Sequence, residues 1–216
     1  MEDTDLKIFG VGLSKTGTNS LTAALRELGY DAVHWKVTKT MFEYAPGGSF
    51  EFDYDRIADH DAFTDLPIAR AFRELDARFP NAKFVLTSRD EEAWLRSARK
   101  HFHELVSPEA LKRKVVEPSK ADLLARDVYG AYLWDRDTFA AGRRRHEQSV
   151  RDYFAERPDD LLEITTGAET AYGDLCDFLG HPRVDKAFPH EFKSAKRRVA
   201  GSKLTLADRV RRRLGL

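Results

Sequence analysis

LKIFGVGL at residues 6–13 is an apolar run rich in β-branched and aromatic residues; a polar stretch with glycine follows, and then Leu21, Leu25 and Leu28 at helical spacing. The run predicts a buried strand, the spacing predicts a helix with one apolar face, and Gly29 is its stop signal. The alternation recurs. DAVHW predicts a second strand, and DAFTDLP a strand ending at Asp65, with Pro67 at the first position of a helix over 68–79. AKFVLTS predicts a strong strand and residues 91–105 another helix. Residues 41–56, which contain APGGSF, are expected to form an irregular excursion that carries acceptor contacts around Gly47 and Gly48. Residues 108–157 are dense in charge and helix formers and predict two or three helices; DDLLEIT predicts a short late strand and AYGDLCDFLG an amphipathic helix stopped by Gly180. Strands alternating with helices predict an α/β fold, a single domain with a central parallel sheet flanked by helices on both faces. Ligands in such sheets gather beyond the carboxyl ends of the strands, beside the first strand-to-helix turn. No internal repeat is apparent.

Composition narrows the picture. The chain has 216 residues, 42% of them hydrophobic, which suits one core. The domain is expected over residues 1–192, with a basic, helical C-terminal segment over 193–216. That segment holds nine Lys or Arg and one acid, Asp208, for a net charge of +8 against −8 in the rest. It can reach toward phosphates, an acidic acceptor or an anionic membrane surface, or lie as a solvated amphipathic helix. No uncharged apolar run of about 18 residues occurs and residues 1–6 are acidic, so a cytoplasmic protein without a transmembrane segment is expected. Cys176 is the only cysteine, which excludes an internal disulfide and argues for a core position. No nucleic-acid partner is expected.

The turn after the first strand, GLSKTGTNSL, carries the first candidate chemistry. Lys15 precedes Gly17 by two positions, so the Walker A order of glycine, lysine and hydroxyl fails, and the last glycine interval of a dinucleotide fingerprint fails as well. Backbone N–H groups at a helix N-terminus, a permissive glycine and the hydroxyls of Ser14, Thr16, Thr18 and Ser20 nevertheless make a P-loop-like nest for an anion. An ordinary helix-capping turn is the plain alternative. In FPNAKFVLTSRDEEAWLRSARKH, Arg89 stands directly after a strand and Ser97 eight residues later. Arginine suits a phosphate through paired, charge-assisted bonds.

With these two segments the chain resembles the sulfotransferases that use 3′-phosphoadenosine 5′-phosphosulfate (PAPS). LSKTGTNSL is similar to their 5′-phosphosulfate loop and VLTSRDEEAWLRS to their 3′-phosphate segment. More narrowly, TDLP, VRDYFAERPDDLLEI, LCDFLG and FPHEF, with those two, are similar to the P-loop-type sulfotransferase subfamily over about residues 7–192. The resemblance implies that Lys15 touches the transferring sulfuryl group, that Thr16, Gly17, Thr18, Asn19 and Ser20 cradle the 5′-phosphate, and that Arg89 and Ser97 hold the 3′-phosphate. PAPS would be the cosubstrate, with a small-molecule or glycan acceptor. Ser20 stands where many relatives carry an adenine-stacking Trp, which leaves Trp35 or Trp94 for that task. RRVAGSK is a weak echo of a C-terminal nucleotide loop, so Arg197 and Arg198 are doubtful contacts.

Sulfuryl transfer needs in-line positioning and charge neutralisation, which Lys15 can supply without a metal, so no metal is expected. A hydroxyl or amine acceptor also needs a base. The resemblance places Asp65 where many relatives carry a base; helix capping is its alternative role. His34 is the reserve base, with a core position as its alternative. His101 and His103 are two apart and point different ways on a helix, which argues against a metal pair. His146, after three arginines, is expected to be solvated. A nucleotide-dependent phosphotransferase and a passive nucleotide-binding module remain the alternative functions.

Overall fold

The structure, a computed structural model, describes residues 6–44, 50–184 and 186–189. In chain order the elements are β1 (Ile8–Gly10), α1 (Thr18–Glu27), β2 (Ala32–Val33), α2 (Trp35–Thr38), β3 (Phe42–Tyr44), β4 (Phe50–Phe52), β5 (Ala62–Thr64), α3 (Phe72–Arg78), β6 (Lys83–Ser88) and α4 (Glu91–Arg99). A π-helical turn, Lys100–Glu104, extends α4; α5 (Pro108–Val116), α6 (Lys120–Tyr129), α7 (Arg136–Phe154), β7 (Leu161–Thr165) and α8 (Ala171–Phe178) follow. Five strands form one parallel sheet in the order β2-β5-β1-β6-β7. The chain is the α/β protein that its alternating pattern implies.

Alternation along each strand decides which helices cover which face. Ile8, Ala62 and Val85 point to one side and pack with Leu21 and Leu25 of α1 and with Tyr172 and Leu175 of α8. Their neighbours Phe9, Phe63 and Phe84 point to the other side, where Phe72 and Leu75 of α3 meet Val150 and Phe154 of α7. Cys176, on α8, is fully buried. A third apolar cluster, with Leu13, Leu66, Trp94, Tyr129 and Phe139, joins the β1–α1 turn to α4, α6 and α7.

Two local expectations are corrected. Residues 41–56 are not irregular throughout: β3 and β4 pair antiparallel, with Phe42 opposite Phe52 and Tyr44 opposite Phe50. Aromatic cross-strand partners stabilise such a pair. Gly47 and Gly48 lie outside the described residues. Pro67 does not open a helix over 68–79, because α3 begins at Phe72; a turn held by Ala69 N to Asp65 O at 3.3 Å and Ala71 N to Pro67 O at 3.1 Å comes first. That turn buries Ile68, Ala69 and Ala71. The basic segment 193–216, including Arg197 and Arg198, lies outside the described residues. Among the described residues, no helix is long and apolar enough to cross a membrane.

Candidate functional site

Sheet register gathers the candidate residues at one edge. Gly10 is level with Thr64 on one side and Val85 on the other, and Val33 with Phe63. The residues that leave the strands, Val11 to Lys15, His34, Asp65 and Arg89, therefore emerge together at the carboxyl ends. Strand order reverses at β1, with β5 on one flank and β6 on the other, so the β1–α1 turn sits at the switch point.

The turn itself is held from inside. Thr16 Oγ1 donates to Leu13 O at 2.7 Å and meets Thr87 Oγ1 of β6 at 2.7 Å, while Thr16 N donates to Leu13 O at 3.2 Å. Thr16 thus anchors the turn with both its hydroxyl and its N–H. Gly12 has no room for a side chain, because a Cβ there would overlap Thr87 Oγ1. Lys15 and Gly17 take left-handed conformations, φ +74° and +116°, and a Cβ on Gly17 would lie 2.5 Å from Thr166 Oγ1. Gly17 starts α1 without a side-chain cap. The first N–H groups of the helix, on Thr18, Asn19 and Ser20, therefore open at a positive helix end, next to left-handed backbone of the kind that forms anion nests. The N-cap position itself belongs to Gly17, so no side chain covers these groups.

Asp65 is the hub. It too is left-handed, φ +70°, a conformation that aspartate tolerates better than most residues and that tends to cluster at functional sites. Its Oδ1 accepts from Ser14 Oγ at 2.5 Å and from Leu66 N at 2.9 Å; its Oδ2 faces His34 Nε2 at 3.2 Å. His34 Nε2 also lies 3.0 Å from Thr18 Oγ1 at the start of α1. Sequence reasoning set Asp65 and His34 as rivals; the fold makes them partners. Asp65 does not cap α3, whose first residue is Phe72.

Arg89 is exposed and its Nη1 points at Lys15 O, 3.4 Å away, so the second segment lies against the first. Ser97, half-buried, lies two turns along α4 from the Asp90 cap. Trp94 is fully buried: its Nε1 donates to Ser14 O at 3.0 Å, Arg143 lies 5.1 Å over its ring and Tyr129 packs 6.2 Å away. An indole covered in this way has no face for a base, and of the two tryptophans only Trp35 keeps exposed surface.

Three supporting residues were not singled out for these roles from the sequence. Arg143, 4% exposed, donates through Nε to Glu147 Oε1 at 2.7 Å and through Nη2 to Arg89 O at 2.5 Å, and so fixes the main chain beneath Arg89. Only the i, i+4 spacing to Glu147 hinted at it. Tyr129 stacks on Phe139 at 4.7 Å, and its buried hydroxyl lies near Ser14 without closing a hydrogen bond; burial and then the Asp65 carboxylate keep it un-ionised. His146 is not solvated as expected. Its Nε2 meets Val11 O at 2.8 Å beneath the β1–α1 turn, and burial lowers its pKa to about 4, so it is a neutral structural imidazole.

A cleft of 290 Å³ lies elsewhere, between α3, α6 and α7. Arg70 there is already engaged by Asp127 and Glu74, and Arg73 by Ser149, so it reads as a surface ion network. Among the described residues, no group of three or more His, Cys, Asp or Glu side chains is placed to hold a metal ion.

The chain is 25% identical over 217 aligned positions to "Ava biosynthesis cluster protein M" of Aspergillus versicolor, with 86% of this chain and 80% of that protein covered. The sulfotransferase domain family matches residues 7–197, nearly the whole described chain. A parallel sheet with an uncapped, lysine-bearing turn at its switch point and an arginine from the next strand laid against it is thus found in a chain that belongs to the sulfotransferase domain family.

Proposed function

We propose that the protein transfers a sulfuryl group from PAPS to a hydroxyl or amine on a small-molecule acceptor by in-line displacement. The observation that carries this reading is the contact between Arg89 Nη1 and Lys15 O, which lays the segment after β6 against the β1–α1 turn, as a shared bisphosphorylated nucleotide would require. The open N–H groups of Thr18, Asn19 and Ser20, with Gly17, would hold the 5′-phosphate. Thr16, turned inward, would keep the loop in shape. Arg89 and Ser97 would take the 3′-phosphate, which separates PAPS from ATP.

Lys15 would sit at the migrating sulfur. As the bond from sulfur to the 5′-phosphate oxygen lengthens, negative charge grows on that oxygen, and an ammonium held there stabilises it most at the transition state. The acceptor's proton would pass to the Asp65–His34 pair. Asp65 is bound to Ser14, one residue before Lys15, so base and donor loop hold a fixed mutual position, as in-line transfer requires. The Aspergillus relative is named for a biosynthesis cluster, which fits a small-molecule acceptor better than a glycan.

Thermal shift with 3′-phosphoadenosine 5′-phosphate, with ATP plus magnesium and with AMP tests the donor. Preference for the bisphosphate without metal supports the proposal, and preference for ATP with magnesium replaces it with a phosphotransferase. No response to any of the three removes both. Labelled PAPS with pooled alcohols, amines and sugars, read by mass, then finds the acceptor.

A further inference from the structure

RDEE at residues 89–92 sets three acids directly behind Arg89, and in an unfolded chain those carboxylates are its nearest partners. The fold gives each of them another one. Asp90 Oδ1 caps α4 by accepting from Ala93 N at 2.8 Å; Glu91 Oε2 accepts from Arg144 Nε at 2.7 Å, and Glu92 Oε1 from Arg136 Nη2 at 2.5 Å. Arg136 and Arg144 both belong to α7, and so does Arg143, whose Nη2 donates to Arg89 O at 2.5 Å. Arg136 and Arg143 are two helical turns apart and share a face. α7 thus lies along the start of α4 and grips residues 89, 91 and 92. Of the three arginines only Arg143 is buried; Glu147 Oε1, at 2.7 Å, and the Trp94 ring, 5.1 Å away, orient its guanidinium. Trp94 in turn donates to Ser14 O, so the same side chain braces the segment after β6 against the β1–α1 turn.

Resting on the sulfuryl-transfer reading above, we propose that Arg143 and Arg144 are positioning residues that set the selectivity of the site for a nucleotide carrying a 3′-phosphate. Arg143 fixes the main chain from which the Arg89 side chain reaches, so the guanidinium meets the phosphate without first ordering its own backbone. A charge-assisted pair that is organised in advance loses less entropy when it forms. Arg144 holds Glu91, whose charge otherwise stands two residues from Arg89 and opposes an incoming phosphate. Arg136 does the same for Glu92. The 5′-phosphate is left to the β1–α1 turn, so the effect of α7 falls on one end of the nucleotide.

Calorimetric titration of 3′-phosphoadenosine 5′-phosphate and of AMP into the full chain tests this, because the ratio of the two affinities is a readout that a merely structural role leaves unmoved. Arg143→Met combined with Glu147→Leu removes the buried pair without stranding a charge, and the methionine still covers the Trp94 ring. This double variant should lower the preference for the bisphosphate about fivefold while AMP binds as it does to the parent. Should it not fold, Arg143→Lys replaces it: a lysine keeps a charge for Glu147 but lacks the fork that also reaches Arg89 O, and should lower the preference about threefold. Arg144 is exposed, so Arg144→Ala leaves the core intact; it should lower the preference about threefold at low salt, with the effect fading as salt rises. A variant that keeps the parent's ratio, or that weakens both ligands equally, removes its residue from the role and leaves the PAPS reading standing. A parent that binds AMP as tightly as the bisphosphate overturns the PAPS reading and the role together.

Discussion

Ser14 Oγ donates to Asp65 Oδ1 at 2.5 Å across 51 residues of sequence, tying the turn after β1 to the end of β5. Four side chains in a row, Thr18, His34, Asp65 and Ser14, connect the start of α1 to the residue before Lys15. Loop shape and the Asp65–His34 pair are therefore one structural unit, and perturbing either end should be felt at the other.

In a stability cycle, Ser14→Ala and Asp65→Ala should be non-additive by about 1 kcal/mol or more, because each removes a partner of the other. Asp65→Asn should lower kcat about a hundredfold with little change in bisphosphate affinity. Additive stabilities from urea melts, or an Asn variant with full turnover, would dismiss the coupling or the role as base respectively.

Lys15→Ala should reduce kcat about a hundredfold or more while 3′-phosphoadenosine 5′-phosphate binds within about threefold of the parent, since the ammonium acts mainly on charge that develops during transfer. Equal losses in turnover and product binding would make Lys15 a binding residue only.

Arg89→Ala should weaken 3′-phosphoadenosine 5′-phosphate about tenfold or more and leave AMP, which lacks the 3′-phosphate, at its parent affinity. Calorimetric titration of both ligands into both proteins decides it. Equal weakening of the two ligands removes Arg89 as the reader of the 3′-phosphate.

Arg143→Met should cost about 3 kcal/mol, because it removes the 2.7 Å partner of buried Glu147, leaving it only Arg151 at 3.7 Å, and frees the Arg89 carbonyl, and adding Glu147→Leu should recover part of that loss. Denaturant melts of both variants measure it, and a single variant as stable as the parent would mean that Arg143 does not clamp this corner.

His146 gives a pH signature. Its pKa falls from 6.5 to about 4 on folding, so between those values the unfolded chain binds a proton that the folded chain does not, and stability drops as pH falls. The residue should account for about 3 kcal/mol across that window. Asp76 and Asp122, whose pKa values folding also lowers, add to the slope in acid. Urea melts of the parent and of His146→Gln on both sides of the window isolate the histidine: the variant should show the shallower slope, and matching slopes would mean that His146 stays protonatable in the folded chain.

Much of the frame was legible because it rests on local patterning. The apolar alternation of β1, β5 and β6, the leucine spacing of α1 and the stops at Gly29 and Gly180, both left-handed, are properties of short segments. The strength of the aromatic pairing in β3 and β4 was present in FEY and FEF, but the glycine and proline between them masked it. Residue types at the β1–α1 turn and after β6 also marked both segments as candidates for anion binding. Tertiary structure alone decided which of those groups meet. No short-range pattern shows that Asp65 turns from capping α3 to accept from Ser14, that His34 joins it, that Trp94 is sealed under Arg143, or that His146 lies beneath Val11. Those outcomes depend on strand order and register, which bring segments tens of residues apart to one sheet edge, and on packing that leaves each buried polar group only the partners the fold supplies.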